Sequence, residues 1–161
     1  MIALHFLRHA HAGDAEAWDG PDERRPLSSK GEKQAERLGA FLSGVGFRPD
    51  ALISSSKVRA AQTAEIVARQ LDVPVATHPR LAGGLDLEGV EAILREAGDP
   101  VRPVLVGHDP EFSELVSELL GWTGLEMKKG AIVRIDIERP LSPGGGSLGW
   151  LVTPDLLKPP R

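Results

Sequence analysis

Three short apolar runs in this chain each break off into polar, chemistry-bearing residues. Ile2-Ala3-Leu4-His5-Phe6-Leu7 runs into Arg8-His9. Ala51-Leu52-Ile53-Ser54 runs into the segment from Ser55 to Arg59, and Val104-Leu105-Val106 into Gly107-His108-Asp109. Unbroken apolar runs of this length with β-branched members read as strands buried on both faces, as in parallel sheets. Between them the apolar period changes to that of a helix. Ala35, Leu38, Phe41 and Leu42 share one face; so do Val58, Ala61, Ala64, Val67 and Leu71; Leu87, Val90, Ile93 and Leu94; and Phe112, Leu115, Val116, Leu119 and Leu120. Strands alternating with helices predict an α/β sheet covered on both faces. Ligands of such sheets gather outside the carboxyl ends of the parallel strands. The three polar sequels are therefore expected on one rim.

Local signals set the boundaries. Ser29-Lys30-Gly31-Glu32 fits a capping box for the first helix, which should stop near Gly44 or Gly46. Helices are predicted over 57–71 and 87–97, and a third, edge strand over 73–76 if Pro74 lies within it. Asp109-Pro110 reads as an N-cap followed by a first-turn proline. "AIVRIDIE" (131–138) alternates as a half-exposed strand, and "PLSPGGGS" turns into a last strand at 148–153. Residues 10–27 form a long loop, a kind of segment that is often functional. With no internal repeat, residues 1–161 are read as one domain.

Composition narrows the function. A net charge of −4 argues against a broad nucleic-acid surface. The absence of cysteine excludes disulfide and thiolate chemistry. No stretch approaches the roughly 20 apolar residues of a membrane helix. The apolar start is too short for a signal peptide and is interrupted by Arg8, so the expected location is cytoplasmic.

Two arginines and two histidines on one rim have a specific use. Arginines clamp a phosphoryl group through charge-assisted hydrogen bonds, and the helix starts after Ser55 and Asp109 add partial positive charge. A neutral imidazole can attack phosphorus and carry the phosphoryl group. A second, protonated histidine can hold an oxygen in the transition state. Such a set calls for no metal and no cofactor. Each residue also has a plainer reading. His9 and His108 could be ordinary loop histidines, and Arg8 and Arg59 surface charges. His9 and His11 could form half of a metal site, but no third ligand follows at a recognisable spacing. His5 reads as core and His78 as loop. Arg25 is a solvated rim charge as readily as a ligand.

The motifs resemble the histidine phosphatase superfamily, the phosphoglycerate mutase-like fold, and within it the small SixA-type phosphohistidine phosphatases. "LRHAHA" resembles the family's Arg-His-Gly/Ala start and "RRPLSSKGEKQA" its Arg-Pro-Leu-Ser/Thr-x-x-Gly segment. "SSKVRAAQTAEIVA" resembles Ser-Pro-x-x-Arg-Ala-x-Gln-Thr-Ala, "VLVGHDPEFSELV" resembles Val-Gly-His-Asn-Pro, and "GWLVTPDLL" is similar to the branch's closing strand and tail. The motifs stand in family order from residue 2 to about 157. The resemblance implies a three-layer α/β/α sandwich with a mostly parallel sheet and one antiparallel strand, "AIVRIDIE". It implies His9 as nucleophile, with Arg8, Arg59 and His108 binding the phosphoryl group and Arg25 touching the substrate at the rim. Ser56 stands where the family has proline, and Asp109 where asparagine is commoner. Many relatives carry an acidic proton donor beyond the third strand. Here Asp86 and Glu88 are the candidates, outside any clear motif, and both read equally as helix-start charges.

The weak acid signal bears on substrate. A departing alkoxide needs a proton, whereas imidazole, with a pKa of about 6.5, departs with little help. Residues 77–87 are also too few for a lid. Both points favour phosphohistidine on a protein as substrate. The alternatives are small phosphate esters (a sugar phosphate or a nucleotide) and a phosphoprotein-binding module without turnover. Lys128 and Lys129 are candidates for docking an acidic partner.

Overall fold

The structure, a computed structural model, describes residues 1–160. Six strands form one sheet: β1 (Ile2–Arg8), β2 (Ala51–Ser54), β3 (Ala76–Thr77), β4 (Pro103–Gly107), β5 (Ile132–Ile137) and β6 (Ser147–Val152), in spatial order β3-β2-β4-β1-β5-β6. β1 pairs parallel with β4, and β2 pairs parallel with both β3 and β4. β5 alone runs against its neighbours β1 and β6. It is the stretch expected to be antiparallel. Five α-helices lie among the described residues: α1 (Ser29–Gly44), α2 (Val58–Leu71), α3 (Leu87–Glu96), α4 (Glu111–Leu120) and α5 (Pro154–Leu157).

Alternation along the strands divides the core into two layers. Leu4, Phe6, Ile53, Leu105, Val133 and Ile135 bury against α3 and α4, where Val90, Ile93, Phe112 and Val116 face them. Leu7, Leu52, Val104, Val106 and Ile132 bury on the other face against Leu38 and Leu42 of α1 and Ala60, Ala64 and Val67 of α2. Each large side chain so buried contributes about 1.5–3 kcal/mol relative to exposure. The result is a three-layer α/β/α sandwich with a mostly parallel sheet.

Several boundaries move, each for a local reason. The N-cap of α1 sits one residue earlier than expected, and the capping box does not form, because Gly31 then stands where the box needs a glutamate. Ser28 is the N-cap, and its hydroxyl accepts from Gly31 N at 3.1 Å. Phe41, expected inward, is 37% exposed because the α1–α2 contact is made by the Leu38–Leu42 side. The third strand is Ala76–Thr77, not 73–76; Pro74 lies outside it, and the strand is indeed at the sheet edge. Asp109 does not cap α4 in the expected manner. The helix starts at Glu111, while the Asp109 carboxylate accepts from Ser113 N at 3.1 Å and from Ser113 Oγ at 2.6 Å. The 10–27 loop contains two single 3-10 turns, Ala15–Ala17 and Asp22–Arg24.

Candidate active site

β1, β4 and β2 end together at one rim, where backbone bonds knit the segments that follow them. His9 N donates to Gly107 O (3.0 Å), Ser55 N to Val106 O (2.9 Å), and Gly130 N to the carbonyls of Arg8 and His9. Side chains tighten the frame. Thr63 Oγ1 donates to Arg59 O at 2.7 Å and accepts from Ala10 N at 3.1 Å, which locks α2 to the residue after His9. Gln34 receives His11 N and Gln62 receives Leu27 N, fixing both arms of the long loop to α1 and α2. At Gly31, a Cβ would lie 1.9 Å from His11 O. The loop can pass over α1 this closely only where no side chain intervenes.

The rim encloses a cleft of about 340 Å³, whose walls include Arg8, His9, Arg59, His108 and Arg25. The His9 and His108 ring centroids are 5.3 Å apart. His9 Nδ1 lies 2.7 Å from Ala10 O. A carbonyl only accepts, so the ring proton sits on Nδ1, leaving the Nε2 lone pair unshared. Burial, then Arg59, Arg8 and Lys129, pull the His9 pKa down to about 4 against the Ala10 hydrogen bond, which raises it. His108 Nε2 lies 2.8 Å from Ser55 Oγ, which also accepts from Lys57 N. Its pKa is lowered to about 3 by burial first, then by His9, Arg59 and Lys57. Both imidazoles are therefore neutral near pH 7 until an anion offsets those cations. The charged state expected for His108 thus requires the anion itself.

The arginines are held by part of their heads only. Arg8 Nη1 donates to Met127 O at 2.7 Å and stands 3.4 Å from Asp109 Oδ2. Arg59 bonds the Asp22 carbonyl and carboxylate at 2.9 and 3.1 Å. Arg25 Nε reaches the same carboxylate at 3.1 Å, and Arg25 Nη1 donates to Ala12 O. Arg25 and Arg59 together hold the Asp22 carboxyl below its usual range. Among the described residues, the buried side-chain polar atoms without a partner are Arg8 Nε, Arg59 Nε and His108 Nδ1. All three belong to the cleft. Unpartnered buried polar atoms are rare in folded chains; two guanidinium N–H donors and one imidazole nitrogen left over on neighbouring residues mark a place suited to an anion.

Three placements depart from sequence reasoning. Asp86 is the N-cap of α3, its carboxylate accepting from Gly89 N at 2.8 Å, and Glu88 is exposed in the first turn; neither lines the cleft. Glu111 does line it. Glu111 went unnoticed because a glutamate at a helix start reads as a dipole partner, although its place three residues after His108 was a usable signal. Lys57 and Lys129 also line the cleft, whereas Lys128 points to solvent, 3.9 Å from Glu126. His11 is occupied with Ser28 Oγ at 2.7 Å. No group of three or more His, Cys, Asp or Glu among the described residues is placed to hold a metal ion, and no described helix is long and apolar enough to cross a membrane.

Known proteins resemble this chain in sequence and fold. The family model of the histidine phosphatase superfamily (branch 1) matches residues 4–126. The chain is 34% identical over 141 residues to an uncharacterized protein of Picosynechococcus sp., covering 82% of this chain and 83% of that protein. It is 30% identical over 162 residues to the phosphohistidine phosphatase SixA of Escherichia coli K12, covering 98% and 97%. The structure of the protein histidine phosphatase SixA complexed with tungstate superposes with a TM-score of 0.83 at 26% identity, covering 98% of this chain and all of that one. Fold, motif order and near full-length likeness agree, and the chain belongs to the histidine phosphatase superfamily.

Proposed function

We propose that the chain is a phosphatase that works through a covalent phosphohistidine at His9, and that its substrate is phosphohistidine on a protein. The observation that carries the mechanism is the His9 ring: neutral, its proton held on Nδ1 by Ala10 O, beside a ring of cations. In this reading Nε2 attacks phosphorus. Arg8, Arg59 and His108 hold the equatorial oxygens, their unpartnered N–H groups finding acceptors there. Arg25, Lys57 and Lys129 widen the positive field at the rim. Water then attacks phospho-His9 and releases inorganic phosphate, with no metal in the cycle.

The protein substrate is supported by the open rim. Between β3 and α3 the chain makes one 3-10 turn, Pro79–Ala82, and runs directly to the Asp86 cap. Nothing in that segment is long enough to close over a small molecule. Likeness to SixA over nearly the whole chain supports the same reading. A second reading, small phosphate esters, is favoured by one observation: a carboxylate, Glu111, in the cleft wall.

Hydrolysis of p-nitrophenyl phosphate in EDTA by the parent chain and by His9→Ala tests the mechanism. Activity that survives chelation and disappears in the variant is expected; EDTA-sensitive activity, or an active variant, overturns it. Phosphate release from a phosphohistidine protein, set against a panel of sugar phosphates and nucleotides, tests the substrate. Faster turnover of the esters reverses the assignment.

A further inference from the structure

We propose that Glu111 is the proton donor to the leaving group, which extends the substrate range of this cleft to phosphate esters with strongly basic leaving groups. The inference rests on the phospho-His9 reading and identifies the acid that it leaves unassigned.

Five carboxylates are candidates. Asp22 is bound to Arg25 and Arg59. The oxygens of Asp109 receive Ser113 N and Oγ, with Arg8 Nη1 at 3.4 Å. Asp86 caps α3 outside the cleft, and Glu88 is exposed there. Glu111 remains. It lines the cleft with His9 and His108, and no cation stands within 4.0 Å of it among the described residues. Its one hydrogen bond uses Oε1, which accepts from Gly84 N at 3.2 Å. Oε2 is unengaged. Guanidinium groups thus occupy Asp22 and stand beside Asp109, whereas the Glu111 carboxyl rests on a single neutral amide and keeps one oxygen without a partner.

Position supports the chemistry. Glu111 is the first residue of α4, a helix anchored in the core by Phe112, Leu115 and Val116. Its wall of the cleft also holds Ala82, Gly83 and Pro110. Gly84 N, in the loop before α3, steadies the side chain from outside. A cleft of about 340 Å³ accommodates a phosphoryl group and a small leaving group.

The Nε2 lone pair of His9 forms the N–P bond as the P–O bond breaks. The electron pair of that bond goes to the leaving oxygen, which takes the proton from the Glu111 carboxyl and departs as an alcohol. Water then attacks phosphorus and gives its proton to the Glu111 carboxylate. The N–P pair returns to Nε2, and inorganic phosphate leaves with both groups restored.

The test is the dependence of kcat/KM on leaving group in Glu111→Gln, which keeps the side-chain length and an oxygen for Gly84 N. The expected loss is graded: about 10²–10³-fold for alkyl phosphates, less for phenyl phosphate and least for p-nitrophenyl phosphate, whose leaving group needs the least help. Glu111→Asp should recover part of the loss on alkyl phosphates. An equal loss across the series marks a structural role and overturns the inference, as does no loss on alkyl phosphates. If instead the parent chain fails to form phospho-His9 with p-nitrophenyl phosphate, the mechanism beneath the inference has failed, and that result does not depend on Glu111.

Discussion

One buried histidine, His5, lies in the middle of β1 and another, His9, follows its last residue, and the two are alike by several measures. His5 and His9 are 1% and 6% exposed. Each places Nδ1 on a carbonyl, Pro103 O at 2.9 Å and Ala10 O at 2.7 Å. Burial pulls each pKa down to about 4. Each also faces a cleft, and the one beside His5, about 600 Å³, is the larger. The difference lies in the neighbours. His5 packs against the rings of Phe47 and Trp150. The arginines around it are satisfied within the chain: Arg134 by Asp136, Arg102 Nε by Arg48 O, and Arg48 Nη1 by Phe47 O. His9 stands among cations with buried N–H groups left over. Neither burial, nor a shifted pKa, nor cleft volume separates a core histidine from a reactive one. Unpartnered polar atoms on neighbouring residues of one cleft do.

The sharpest way to break this contrast is to remove each ring in turn. His9→Ala is expected to lower kcat/KM for p-nitrophenyl phosphate by at least about a thousandfold. His5→Asn keeps an N–H for Pro103 O and should leave turnover within about twofold while lowering the melting temperature. Comparable losses in the two variants would end the distinction. The arginines give the next largest effect. Arg59→Ala should cost about a hundredfold in kcat/KM, whereas Arg102→Ala, in the larger cleft at the opposite end of β1, should leave it within about twofold.

Acid stability separates the two histidines more finely. A histidine whose folded pKa lies below its unfolded value of about 6.5 contributes its full stability above that pH. That stability is lost progressively as pH falls toward the folded value. For His5 and His9 the window runs from about 6.5 to about 4, and for His108 to about 3. Over such a window each residue carries on the order of 3 kcal/mol. The melting temperature should therefore fall as pH is lowered from 6.5 to 4. His5→Asn should flatten that slope and leave the pH profile of turnover unchanged. A slope identical to that of the parent chain would mean that His5 already binds its proton in the folded state.

What the sequence disclosed, and what it withheld, follow the same physics. Apolar runs such as Val104-Leu105-Val106 announce buried parallel strands, and the motifs after them mark residues that must meet. Register at the ends of elements was less legible. Ser28 and Ser29 are chemically equivalent caps, and only backbone geometry chooses between them. The two-residue strand Ala76–Thr77 carries no periodic signal at all, since both residues are exposed. The family resemblance places a proton donor beyond β3, where Asp86 and Glu88 lie outside the cleft. Glu111 lies on α4, three residues after His108, and the packing of that helix carries it to the cleft wall. The unpartnered Nε atoms of Arg8 and Arg59 are likewise invisible in one dimension, because the partners of their other nitrogens come from Met127 and Asp22.

The smallest effect bears on Asp86, which a sequence reader weighs as an acid and the fold uses as a cap. Its carboxylate accepts from Gly89 N at 2.8 Å, at the start of a helix that buries Val90, Ile93 and Leu94. Asp86→Ala removes that acceptor and should cost about 1 kcal/mol, a fall of roughly 2–4 °C in melting temperature for a chain of this size. Asp86→Asn keeps a capping oxygen and should restore most of it. Neither change should alter kcat/KM on any ester, however basic its leaving group. A capping role makes the alanine and asparagine variants differ in stability and agree in turnover. A proton donor would reverse that pattern, because asparagine cannot supply the proton although it caps the helix well.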